Sequence, residues 1–118
     1  MKDIINEINQ FRDDRGWGGN HDARSLAISI SLEASELLEC FQWRSGEEAI
    51  AHDKQAIVDE MADVFIYLLQ FSDVIGEDLM EAAREKMKKK VGKMYATLLI
   101  LLVITINILF YYFHNESI

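Results

Sequence analysis

No proline interrupts this chain of 118 residues, and three of its six glycines fall within residues 16–19. Proline and glycine are the residues that most readily break helices, so apolar patterns can run long here and an all-α fold is the natural expectation. Ile4, Ile5, Ile8 and Phe11 recur at helical spacing and predict a first amphipathic helix over 2–14. The glycine-rich stretch 15–21 should end it in an irregular loop.

A second helix is expected from Asp22 or Ser25 to about Trp43, with Leu26, Ile30, Leu37 and Phe41 forming its apolar stripe. Residues 44–47 read as a connector, with a short helical turn through 48–51. The third helix runs over about 53–75 and buries Ile57, Met61, Val64, Leu68 and Phe71, with Gly76 placed to terminate it. A fourth begins near Glu77 or Asp78, whose charge suits a helix N-terminus, and carries Leu79, Ala82, Ala83 and Met87. Four helices in some 85 residues make a thin core, which often leans on a partner subunit.

Charge is distributed unevenly. Residues 1–85 carry 19 Asp and Glu against 7 Lys and Arg, a net of −12, whereas 86–93 add five lysines and no acid. An acidic domain is a poor nucleic-acid binder, because phosphate backbones reward clustered positive charge. It can take a nucleotide where metal ions bridge the two negative partners. The lone Cys40, on an expected buried helix position, leaves no intrachain disulfide and fits a reducing compartment. The first eleven residues are too charged for the apolar core of a signal peptide.

Two carboxylate pairs stand out, Glu33-Ala-Ser-Glu36 and Glu60-Met-Ala-Asp63. Residues three apart on a helix lie close together on one side, so each pair can aim both carboxylates at one spot. Four acids from two antiparallel helices raise one another's pKa and destabilise the fold unless a cation neutralises them. All-oxygen ligation points to Mg²⁺ or Mn²⁺, since zinc and copper sites recruit imidazole and thiolate. A di-iron bundle needs Glu-x-x-His motifs, and neither His21 nor His52 has a Glu three residues before it. Such pairs also arise by chance on solvated helix faces, and spacing alone leaves the two readings level.

From Tyr95 to Phe113 nineteen residues carry no charge. As a helix they would extend roughly 28 Å, close to the hydrocarbon thickness of a bilayer. The lysines of 86–93 precede the segment and a short polar tail follows, so the positive-inside rule predicts a cytoplasmic acidic domain anchored by its C-terminal part. Tyr111 and Tyr112 sit where an interfacial aromatic belt is expected. The competing reading is a buried helix of a soluble oligomer. The expected domains are thus 1–93 and an apolar segment, 94–118.

The run Glu33-Ala-Ser-Glu36-Leu-Leu-Glu39-Cys-Phe-Gln-Trp43, followed by Asp59-Glu60-Met-Ala-Asp63-Val-Phe-Ile-Tyr67, resembles the all-α NTP pyrophosphatase superfamily, in its MazG-like and dCTP-pyrophosphatase-like branch. The resemblance covers about residues 5–89. It implies hydrolysis of a nucleoside triphosphate between the α and β phosphates, giving the monophosphate and pyrophosphate, in a dimer or tetramer. By position it makes Glu33, Glu36, Glu60 and Asp63 the metal ligands, with Glu39 a further acid able to hold a second metal or orient water. It also implies that Trp17 and Trp43 line a base pocket flanked by Tyr67, although tryptophans ending amphipathic helices are commonly packed core. His21 and Arg24 match a His-x-x-Arg pattern meeting phosphate or base, and Lys86 matches a phosphate-contacting lysine. Lys86 reads equally as the first member of a juxtamembrane basic cluster facing anionic lipid.

At Lys90 the chain departs from the family pattern. An asparagine and a Lys-Tyr-Pro-like closing segment are expected there, and 90–95 followed by the apolar run stand in their place. Fusion to a membrane anchor and a shifted reading frame near the lysines both account for this, and both predict impaired activity. The expectation is a Mg²⁺-dependent nucleotide pyrophosphohydrolase that removes surplus or non-standard deoxynucleotides. Its rival is a membrane-tethered helical interaction module, or an inactive remnant of such an enzyme.

Overall fold

A computed structural model describes residues 1–115, and among these every regular element is helical: α1 (Lys2–Asp14), a 3-10 turn (Trp17–Asn20), α2 (Ala23–Glu39), α3 (Gly46–Ile75) and α4 (Leu79–Asn115). The all-α expectation holds. The chain divides into two compact units, residues 1–79 and the remainder beginning at Met80.

In the first unit α2 and α3 pack as a helical hairpin, and α1 lies against α3 more lightly. Local chemistry sets the ends. Asp22 caps α2 by accepting hydrogen bonds from the backbone N–H groups of Arg24 and Ser25. Its bonds to Ser25 pull its carboxyl below the usual value. Ser45 opens α3 with a reciprocal capping box, in which its hydroxyl accepts from the Glu48 N–H and the Glu48 carboxylate accepts from the Ser45 N–H.

The hairpin turn departs from expectation. α2 stops at Glu39, four residues before Trp43, and the chain turns through 40–43. α3 already begins at Gly46, but Asp53 breaks it with φ −154° and ψ 84°. The Asp53 carboxylate accepts from the Ala56 N–H at 3.0 Å and so caps the longer second part of the helix. The short helical turn and the helix expected from Asp53 are thus both present, joined across a kink. Gly76 ends α3 in the left-handed region at φ 73°, where a glycine pays no Cβ penalty.

The core is small. Leu26, Ala49 and Leu69 are its buried apolar members, with Leu26 1% and Leu69 0% exposed. Burying each leucine is worth about 1.5–3 kcal/mol. Two polar residues on α3, Gln70 and Ser72, are buried with them. Ser72 is satisfied, donating to the Leu69 carbonyl at 2.8 Å. Met61, expected in the buried face of α3, is exposed, whereas Ile57, Val64 and Leu68 of the same stripe are half-buried. Cys40 is half-buried at the C-cap of α2 rather than inside a buried helix. Beyond the tight part of the hairpin, Asn9 of α1 donates to the Asp73 carboxylate of α3 at 2.9 Å.

The second unit is α4. The expected fourth helix and the apolar segment form one helix, unbroken at Lys93 and Met94. Lys88 pairs with Glu85 at 2.5 Å, and Arg84 with Glu81 at 3.4 Å. Lys86, Lys89, Lys90 and Lys93 share another face by their three-and-four spacing. α4 is long and apolar enough to cross a membrane, and its apolar residues are exposed. Residues 116–118 of the expected polar tail lie outside the described residues.

Candidate metal centre and adjoining cavity

Carboxylate oxygens of Glu33, Glu36 and Glu60 lie within 4.8 Å of one another, close enough to share one cation. The i,i+3 spacing on α2 supplies two of them and the facing helix α3 the third. Burial pushes the Glu33 carboxyl above its usual value, and the negative charges of Glu36, Asp63 and Glu60 raise it further. Burial likewise raises Glu60, with Glu36, Asp63, Asp59 and Glu39 adding repulsion. Asp63 stands outside the close triad but within electrostatic reach of both. Glu39 is exposed at the end of α2, and its effect on Glu60 marks it as an outer member.

Among the described residues Glu60 Oε2 is buried without a hydrogen-bond partner, and an unpaired buried carboxylate oxygen is expensive. A hard cation would satisfy it, and an all-oxygen donor set suits magnesium or manganese chemistry.

Asp63 also lines an open-sided cavity of about 440 Å³ between α1, the 3-10 turn and α3. Ile4, Ile8 and Phe11 of α1 and Ile66 of α3 give it apolar walls, and Trp17 and Tyr67 add aromatic surface. The Trp17 ring meets Phe11 edge-on at 6.0 Å, while the Arg15 guanidinium covers Phe11 at 3.4 Å from its centroid. His21 and Gln70 are polar members of the lining, each with one buried atom lacking a partner, Nδ1 and Oε1 respectively.

Of the remaining residues singled out by sequence, Trp17, His21 and Tyr67 meet at this cavity. Trp43 and Arg24 do not line it. Trp43 is 93% exposed in the hairpin turn, with φ 63° in the left-handed region. Arg24 is exposed on the first turn of α2. Lys86 lies on α4, in the second unit. Gln70 was not anticipated. The signal for it was present, because Asp63, Tyr67 and Gln70 follow a four-and-three spacing that sets them on one side of α3.

Comparison with known proteins is consistent with this geometry. The MazG-like family model matches residues 28–97, which contain all four candidate ligands. dCTP pyrophosphatase 1 of Mus musculus is 32% identical over 92 residues, covering 74% of this chain and 54% of that protein. dCTP pyrophosphatase 1 of Homo sapiens is 30% identical over the same length. The chain spans about half the length of the curated relatives it matches. The crystal structure of a pyrophosphatase from Archaeoglobus fulgidus superposes with a TM-score of 0.74 at 42% identity, covering 79% of this chain and 90% of that one. With hairpin, acid cluster and both likenesses in agreement, the chain belongs to the MazG-like family of the all-α NTP pyrophosphatase superfamily.

Proposed function

We propose that the protein is a Mg²⁺-dependent nucleoside triphosphate pyrophosphohydrolase, converting a (d)NTP, of dCTP-like type, to the (d)NMP and pyrophosphate. The observation that carries this reading is the convergence of Glu33, Glu36 and Glu60 around the unpaired Glu60 Oε2, beside an aromatic cavity reached through Asp63. The names of the relatives supply the reaction class.

In this reading Glu33, Glu36, Glu60 and Asp63 hold the cation. When bound, it offsets triphosphate charge and polarises the α phosphorus. The chain's own residues do the rest. Trp17 and Tyr67 offer ring faces to a base, a contact worth ~1–3 kcal/mol in other stacking sites. A carboxylate of the cluster accepts the proton of the attacking water. The water oxygen bonds to the α phosphorus, the bridging P–O bond to the β phosphate breaks, and pyrophosphate leaves. Glu39 orients water or holds a second ion. For Arg24 and Lys86 as phosphate contacts, and Trp43 as a base contact, the support is the family pattern.

The active form is a homodimer or homotetramer. Supporting this, the single chain buries few apolar side chains, while Ile28 and Leu32 on α2 and Val58, Met61 and Phe65 on α3 stay exposed at helical spacing. Trp43, exposed in one chain, is then available to a second. α4 anchors this cytoplasmic domain to a membrane, a role supported by its length, its apolar surface and the preceding lysines. The rival, a membrane-tethered interaction module with a disused site, draws on α4 running on as helix where the family pattern expects a closing segment.

Pyrophosphate release from a panel of nucleotides, with and without Mg²⁺, tests the proposal on the intact chain and on a form lacking residues 94–118. Release from dCTP that needs Mg²⁺ and is lost in Glu60→Gln is expected. No release from any nucleotide by either form favours the interaction module.

A further inference from the structure

Three buried polar side-chain atoms lack a hydrogen-bond partner among the described residues: Glu60 Oε2, His21 Nδ1 and Gln70 Oε1. The first belongs to the acid cluster. The other two belong to residues that line one and the same cavity, whose rim is shared with the cluster through Asp63.

Gln70 is the less expected of the two. It is 7% exposed, next in sequence to the fully buried Leu69 and on the side of α3 that carries Asp63 and Tyr67. Leaving a buried amide oxygen unpaired costs about 1–3 kcal/mol, and any apolar residue of similar volume would avoid that cost. Nearby Ser72 has resolved the same difficulty by bonding to the backbone. Gln70 has no such bond, yet it stands at the wall of a 440 Å³ space bounded by aromatic rings. An unsatisfied acceptor beside ring surfaces is what a heteroaromatic ligand with an amino group would complete.

We infer that Gln70 is a specificity-determining residue that reads the polar edge of the bound base, its Oε1 accepting a hydrogen bond from an exocyclic amino group of the cytosine kind. This rests on the nucleotide-hydrolase reading and deepens it by assigning base choice to one side chain. The amide places its NH₂ donor beside that acceptor, so it matches an amino group next to an unprotonated ring nitrogen, the edge that cytosine presents. Thymine and uracil present a carbonyl beside a ring N–H, which the amide meets only by turning its NH₂ to the place that Oε1 holds. His21 Nδ1, the second unsatisfied atom on the cavity, donates or accepts according to tautomer and meets another polar atom of the same ring. Sites built around a hydrogen-bonding group reject analogues that lack its partner more strongly than apolar pockets discriminate by size.

The test measures binding, so that it does not depend on turnover. Titration calorimetry with Mg²⁺ compares α,β-methylene dCTP with its 4-deamino (2-pyrimidinone) counterpart, on the intact protein and on Gln70→Met, a near-isosteric replacement without the amide. The wild type should favour the amino-bearing ligand by roughly tenfold, and Gln70→Met should reduce that ratio to near one while still binding both. A merely structural role for Gln70 would weaken both ligands equally and leave the ratio standing. A wild type that binds both ligands equally well overturns the assignment of Gln70 and spares the nucleotide reading. A wild type that binds neither overturns the nucleotide reading and this inference with it. If Gln70→Met fails to fold, Gln70→Leu takes its place, with the same loss of the ratio expected and an unchanged ratio overturning the assignment.

Discussion

Glu33 on α2 and Glu60 on α3 bring carboxylate oxygens within 4.8 Å of one another and of Glu36, and the charge of Glu60 adds to the burial that raises the Glu33 carboxyl above its usual value. Two helices are held together at a point where their side chains repel. Hairpin packing around Leu26 and Leu69 provides the opposing force.

Neutralising one member should therefore separate folding from metal binding. Glu33→Gln or Glu60→Gln is expected to raise the melting midpoint of the metal-free protein by a few degrees and to abolish the additional rise that Mg²⁺ gives the wild type. Thermal melts with Mg²⁺ and with EDTA check this. A stabilised variant that still responds fully to Mg²⁺ would place the ion elsewhere.

The pH dependence has a definite sign. Glu33 and Glu60 have folded values above their unfolded value of about 4.5, so their contribution to stability is present below it and is lost as pH rises through the folded values. Asp22 and Glu48 are shifted down by their capping bonds, so theirs is present above the unfolded values and lost as pH falls through the folded ones. In EDTA the metal-free protein should lose stability as pH rises from 4.5 toward neutrality. Saturating Mg²⁺ should flatten that decline, as urea melts across pH would register.

Leu69→Ala should cost about 2–5 kcal/mol, the range for emptying a buried leucine site. With so few buried apolar side chains, that loss is a large share of the total for a small domain. Urea denaturation measures it directly. A cost below 1 kcal/mol would mean that the hairpin core is not what holds the unit together.

Ser45→Ala removes half of the capping box and should cost about 1 kcal/mol. Amide exchange should show faster opening of residues 46–52, with little change after the kink, because Asp53 caps the second part independently.

Trp43→Gly relieves a bulky residue held at φ 63°. With the indole 93% exposed, little packing is lost, and the isolated chain should gain about 1 kcal/mol. If the indole serves substrate from a neighbouring copy, the same change should raise KM. A gain in stability with unchanged KM would assign Trp43 no part in binding.

Much of this architecture is legible in the sequence, and for identifiable reasons. Apolar spacing and the absence of proline determine the helices, while Asp22, Ser45 and Gly76 mark ends that capping chemistry dictates. The i,i+3 spacing foretells that Glu33 and Glu36 lie together, because helix geometry fixes that, whereas the meeting with Glu60 across the hairpin and the place of Asp63 outside the close triad depend on the tertiary structure. The early end of α2 was not legible, since residues 40–43 carry an apolar pattern compatible with another helical turn. Nor was the exposure of Met61. A stripe shows which residues share a side of α3, but not which of them a neighbouring helix covers. Gln70 was missed because a glutamine in an apolar run reads as a tolerated exception until its neighbours are known. Trp43 shows the limit in the other direction, since its motif position was clear and its surroundings within one chain were not.

The continuity of α4 couples two properties that a hinge would have kept apart. A helix advances about 100° per residue, so deleting one residue just after Lys93, such as Met94, would rotate the lysine face by that angle against everything beyond it. Deleting four would nearly restore the phase and cost only length. The direction in which the basic side chains point is therefore written into the count of residues, as a key's teeth are into its shank.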